Sequence, residues 1–219
     1  MGGRCDINLP PNIQETWVTT IIIVRHGQTE WNRIERFRGR IDLELNLTGL
    51  DQAHKTAVRI QKSWKPDAIY SSPLKRALQT ANIIAELTHN QVESAPELID
   101  INYGDWQGLT DEEARLRWPD QVNDWYQHPE LATIPGGENL YQVQARAIAF
   151  LHLVSKTNDN KTILLVSHTV VNRLILLGIL GLGIDHFWRL RQEPCAINEI
   201  EINSDGSTLV EMNDTCHLK

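Results

Sequence analysis

The feature that most constrains this chain is a short run of β-branched residues, Thr20 to Arg25, reading Thr-Ile-Ile-Ile-Val-Arg. Such a run, apolar on both faces, forms a strand buried on both sides. Two similar runs follow at Asp67–Ser71 and Thr162–Val166, each succeeded by a stretch with helical spacing. Leu74–Leu87 places Ala77, Leu78, Ala81, Ile84 and Ala85 on one side, and Val170–Leu180 is apolar almost throughout. Asn46-Leu47-Thr48-Gly49 carries an N-cap signal for a helix running to about Ser63, and a further helix is predicted over Asn139–Ser155. Ala196–Ile202 and Thr208–Met212 read as closing strands around Asp205-Gly206.

Strands alternating with amphipathic helices predict an α/β fold: a three-layer α/β/α sandwich around a mainly parallel sheet. The stretch 97–137, richer in Trp, Pro, Gly and acids, reads as short helices joined by loops. It is too long for one structureless loop and is expected to form an inserted cap over a cleft. Residues 1–18, with Gly2-Gly3 and Pro10-Pro11, read as a loosely ordered extension, leaving a single domain over 19–219.

Composition removes several classes of function. The formal net charge of −7 argues against a nucleic-acid partner. The apolar run Ile21–Val24 is too short for a membrane span or a signal segment, so a cytoplasmic protein is expected. Cys5, Cys195 and Cys216 are odd in number and lack metal-like spacing. Either a monomer or a homodimer paired through an edge strand is compatible with the pattern.

Chemistry concentrates at strand ends. Arg25-His26-Gly27 follows the first strand, Ser71-Ser72-Pro73 and then Arg76 follow the second, and Ser167-His168 ends the third. In open α/β sheets ligands bind beyond the carboxyl ends of the strands, so two Arg and two His converge on one edge. Guanidinium groups suit the oxygens of a phosphoryl group, and a neutral imidazole can attack phosphorus. Two cationic neighbours should hold His26 as a free base. His168 would donate to the same oxygens, best when protonated.

The residues Arg25-His26-Gly27-Gln28-Thr29-Glu30-Trp31-Asn32 resemble the signature of the histidine phosphatase superfamily, phosphoglycerate mutase-like branch. The likeness continues through Phe37–Asp42, Leu45–Gly49, Ser71–Ala81, Tyr103–Gly108, Pro135–Glu138 and Val166–His168, in family order. The resemblance implies that His26 is the nucleophile and that Arg25, Arg76 and His168 bind phosphate. It further implies that Gln28, Thr29 and Asn32 line the pocket with the Thr169 amide, and that no metal or other cofactor takes part. The general acid departs from the family: the position usually held by Glu is Asp100, one methylene shorter, with Glu97 as the alternative.

Glu138 is expected either to touch the pocket or to serve the next helix, and Trp31 and Trp106 are the tryptophans expected nearest the cleft. Arg33, Arg36, Arg38 and Arg40 form a basic cluster that could draw an anionic substrate to the cleft mouth. The expected activity is hydrolysis of a small phosphorylated metabolite through a phosphohistidine. A mutase would want extra basic residues after the acid, whereas Asp111–Ala132 offers only Arg115 and Arg117. A non-catalytic phosphate-binding scaffold is the alternative from another class, and it would need no nucleophile.

Overall fold

The computed structural model describes residues 18–34 and 36–219. Most of the predicted N-terminal extension, with Cys5, lies outside the described residues. Six strands form one sheet in the order β3-β2-β4-β1-β5-β6. These are β1 (Thr19–Arg25), β2 (Ala68–Ser71), β3 (Val92–Ser94), β4 (Thr162–Ser167), β5 (Ile197–Asn203) and β6 (Gly206–Asp214). The four strands β3, β2, β4 and β1 run parallel, while β5 and β6 continue the sheet antiparallel.

Alternate residues of β1 divide the core. Ile21 and Ile23 face one layer with Ile163 and Leu165, packed under α6 (Leu140–Lys156) and α7 (Thr169–Ile179). Ile22 and Val24 face the other with Leu164 and Val166, under α2 (Leu47–Ser63) and α3 (Lys75–Thr88). Period-two burial on both faces is what a continuous apolar run becomes inside a parallel sheet. The architecture is therefore the three-layer sandwich that the pattern predicts.

Within 97–137 the chain forms 3-10 turns ending at Leu98 and spanning Gly104–Trp106, then α4 (Asp111–Arg117) and α5 (Pro119–Gln127). Four elements were not predicted from sequence: α1 (Glu30–Arg33), the three-residue β3 and the 3-10 turns at Ile184–Arg189 and Cys216–Leu218. Each is too short to show a period. No helix among the described residues is long and apolar enough to cross a membrane.

Candidate active site

Neighbouring strands β2, β4 and β1 end at the same edge of the sheet and deliver the site. Gly27 follows directly, and its backbone lies so close to Gly49 that a Cβ on Gly27 would come within 2.6 Å of the Gly49 carbonyl oxygen. Any side chain there would push the β1 end away from α2.

His26, 1% exposed, sits at the centre. Its Nδ1 lies 2.7 Å from the Gly27 carbonyl. A carbonyl only accepts, so Nδ1 carries the proton and Nε2 keeps its lone pair. Arg76 Nε lies 3.3 Å from that Nε2. Burial, reinforced by Arg76 and Arg25, holds the imidazole well below its ordinary pKa of 6.5, as a free base.

Arg76 is fully buried on the first turn of α3. It donates to the carbonyls of Ile41 (2.9 Å) and Gly39 (2.8 Å), and to Asp100 Oδ2 at 3.0 Å. Arg25 donates to the Gln192 carbonyl, but its buried Nε has no hydrogen-bond partner. Burial, with Arg38 adding repulsion, pushes its guanidinium down to about 9. An incoming anion would relieve both penalties.

His168 caps β4 with its ring 5.1 Å from that of His26. Its Nε2 lies 2.7 Å from Ser72 Oγ, and that oxygen accepts from the Leu74 N–H. Ser72 Oγ keeps a proton to donate to Nε2, and in that tautomer the ring proton sits on Nδ1. That Nδ1 is buried without a hydrogen bond, 3.6 Å from Asp100 Oδ2. Burial and Arg76 push His168 well below its ordinary pKa. A neutral His168 with its proton on Nδ1 can still donate to an anion, so the protonated ring that would donate best is not required for that role.

Asp100 is 5% exposed and lines the cleft. Its Oδ1 accepts from the Ile101 N–H, and its backbone carbonyl faces Arg146 Nη2 (3.4 Å) and Arg40 Nε (3.5 Å). Glu97 is exposed and absent from the cleft lining. Glu138 is absent too: it accepts from the Asn102 N–H and pairs with Arg146 and Arg40. Burial alone would raise its pKa, but the Asn102 N–H and Arg146 bring it below the usual carboxylate range.

The cleft has a volume of about 440 Å³. Asn32 and Thr169 line it; Gln28 and Thr29 do not. The Gln28 side chain accepts from Asn46 Nδ2, and Thr29 donates through both N and Oγ1 to Asn32 Oδ1, which orients Asn32 instead. In the basic cluster, Arg36 and Arg38 reach the cleft, while Arg33 pairs with Glu30 and Arg40 with Glu138. Trp106 is fully buried core, and neither it nor Trp31 lines the cleft; Trp125 and Trp188 do.

Ser72 was named only as part of the strand-end run Ser71-Ser72-Pro73, without a role, and Arg173 was not singled out from sequence. For Arg173 a signal existed, because it lies four residues beyond Thr169, on the same face of α7. No group of three or more His, Cys, Asp or Glu among the described residues could hold a metal ion.

Comparison with known proteins fits this geometry. The family model of the histidine phosphatase superfamily (branch 1) matches residues 21–215. Phosphoserine phosphatase 1 of Hydrogenobacter thermophilus is 34% identical over 198 residues, 90% of this chain and 93% of the relative. The metal-independent phosphoserine phosphatase of Arabidopsis thaliana is 36% identical over 167 residues, 75% of this chain and 70% of the relative. Among solved structures, YhfR of Bacillus stearothermophilus superposes with a TM-score of 0.88 at 28% identity, covering 92% of this chain and all of that one. The chain belongs to the histidine phosphatase superfamily, branch 1, and is a phosphomonoesterase of that family.

Proposed function

We propose that the enzyme hydrolyses its substrate through a phosphohistidine formed on Nε2 of His26. The observation that carries this reading is the fixed tautomer: Nδ1 is committed to the Gly27 carbonyl, and the free Nε2 lies among Arg76, Arg25 and His168. In the first step Nε2 forms a bond to phosphorus as the ester P–O bond breaks. Asp100 gives its proton to the departing alkoxide. In the second step Asp100 takes a proton from water, the oxygen attacks phosphorus, and the N–P bond breaks to release phosphate.

Arg25 Nε, Arg76, His168 Nδ1–H and the Thr169 amide at the start of α7 hold the non-bridging oxygens through both steps. Asn32 supports the same oxygens through its amide nitrogen. Arg76 is shared between His26 and Asp100 in the empty site, and an arriving phosphate competes for its donors. That exchange leaves the Asp100 carboxyl facing the leaving oxygen.

A single domain over 19–219 carries the reaction, with 97–137 as the cap that supplies Asp100, Tyr103, Asp111, Trp125 and Tyr126 to the cleft. Both sequence relatives are named phosphoserine phosphatases, which supports a small polar phosphomonoester as substrate. We place the enzyme in the cytoplasm, as a monomer or homodimer without membrane partners, and its net charge of −7 argues against a nucleic-acid partner.

The test is p-nitrophenyl phosphate hydrolysis in the presence of a chelator, with mass spectrometry of alkaline-quenched enzyme. Phosphate release should be accompanied by a phosphoryl adduct on His26. Turnover retained in His26→Ala would overturn the mechanism. Transfer to a second metabolite with little free phosphate would favour a mutase.

A further inference from the structure

Among the cations that line the cleft beyond its phosphate end, one is held in place with its terminal nitrogens unspent. Arg173, on α7, is largely buried and lines the cleft. Its guanidinium carbon lies 5.0 Å from the ring centroid of Phe187 and 4.9 Å from that of Trp188. Its Nε donates to the Leu190 carbonyl at 2.7 Å. Three contacts from one segment thus hold the group flat and still.

Its two terminal nitrogens make no hydrogen bond, and no carboxylate lies within ion-pair distance of it among the described residues. A guanidinium that is oriented, half-desolvated and unpaired is a receptor for an anion. The phosphate already has Arg25, Arg76, His168 and the start of α7. Arg173 is therefore free for another negative group on the same substrate.

We infer that Arg173 forms a second anion subsite that binds a carboxylate on the non-phosphate end of the substrate. The inference rests on the phosphomonoesterase reading and narrows it to phosphomonoesters of small carboxylic acids. Asp111 lines the same cleft with a buried Oδ1 that has no partner, its Oδ2 being near Arg115. An ammonium beside the carboxylate is therefore tolerated, and phosphorylated amino acids fall within the class.

Four substrates separate the possibilities: O-phosphoserine and 3-phosphoglycerate, which carry a carboxylate, and phosphoethanolamine and p-nitrophenyl phosphate, which do not. In Arg173→Met, kcat/KM for the two carboxylates should fall about tenfold or more relative to the other two, because a charge-assisted pair is lost. The loss should lie mainly in KM. Arg173→Lys keeps the charge but not the flat fork, and should recover part of the selectivity.

An equal loss on all four substrates, or unchanged selectivity in Arg173→Met, would overturn the subsite while leaving the hydrolase intact. If the wild type turned over none of the four, the hydrolase reading itself would fall. Melting temperatures of both variants within a few degrees of wild type show that the comparison is made on folded protein.

Discussion

The two ends of the cleft are built in opposite ways. At the phosphate end the ring nitrogens and guanidinium groups are each held by hydrogen bonds: the Gly27 carbonyl fixes His26, the loop carbonyls of Gly39 and Ile41 fix Arg76, and the Ser72 hydroxyl fixes His168. At the far wall the cation Arg173 rests on aromatic rings supplied by an irregular segment and keeps its terminal nitrogens free. Rigid wiring suits a group that every substrate shares. A looser wall suits the part that differs, and can change without moving the nucleophile. Changes to the groups that grip phosphate should therefore harm all substrates alike, changes to the acid should scale with the leaving group, and changes at the second end should discriminate by the rest of the substrate.

The largest effect is expected from Arg76→Ala. It removes a phosphate donor and leaves Asp100, 5% exposed, without its cation. Activity should fall by about 10³-fold or more on every substrate, as for loss of a principal charge-stabilising donor. Breaking one side of a buried ion pair should also cost about 3–5 kcal/mol of stability. Chemical denaturation with parallel assays measures both, and a loss confined to one substrate would break the distinction between the two ends.

Asp100→Asn should come next. It keeps the shape and removes the transferable proton. Alkyl phosphates should slow by about 10²- to 10⁴-fold, while p-nitrophenyl phosphate, whose leaving group needs little protonation, should slow far less. A matching pattern in Glu97→Gln would move the acid role away from Asp100. Arg146 holds the Glu97, Ile99 and Asp100 carbonyls, so Arg146→Gln should reproduce a weaker version of the same leaving-group dependence.

These differences also explain what the sequence could tell. His26, Arg76 and His168 were legible because each follows a strand whose apolar run fixes where it ends, and because the family motif spans all three. The layers followed from periodicity alone. For Gln28 the resemblance implied a place in the pocket, whereas in the folded chain its side chain bonds Asn46, a contact that the motif does not encode. The role of Ser72 depends on a contact with His168 across 96 positions, which no local pattern encodes. The Ile184–Arg189 turn has no period, so the shelf of Phe187 and Trp188 was invisible until the chain was folded.

Acid should expose the cost of the wired end. His26 and His168 are both held neutral in the folded protein, well below 6.5, whereas in the unfolded chain each binds a proton as pH falls through about 6.5. The unfolded state then binds more protons, so stability is full above about 6.5 and declines below it. Each buried ring should contribute a slope of about 1.4 kcal/mol per pH unit in that window. Urea denaturation from pH 7 to 5 should show the decline, and His168→Gln should flatten it. The nucleophile itself stays neutral there, so initial rates should persist on the acid side until unfolding intervenes. A rate still climbing above about pH 9 would contradict the need for a protonated acid.

The smallest expected effect lies at the far wall. Trp188 is 39% exposed, donates through Nε1 to the Trp125 carbonyl, and lies with its ring 5.1 Å from that of Tyr126. Its ring is one of two that support Arg173. Trp188→Phe keeps an aromatic face but loses the tether, and Trp188→Ala loses both. A cation–π contact at a half-exposed position contributes about 0.5–1 kcal/mol, so the alanine variant should lose only a few-fold of its preference for carboxylate-bearing substrates. The phenylalanine variant should keep most of it. Because the ring contacts and hydrogen bond of Trp188 among the described residues are to Trp125, Tyr126, Phe187 and Arg173, the change should appear in KM and leave the acid–base limbs of the pH–rate profile in place. A shift in those limbs would mean that the two ends are mechanically coupled, and that the far wall helps to set the geometry of the nucleophile.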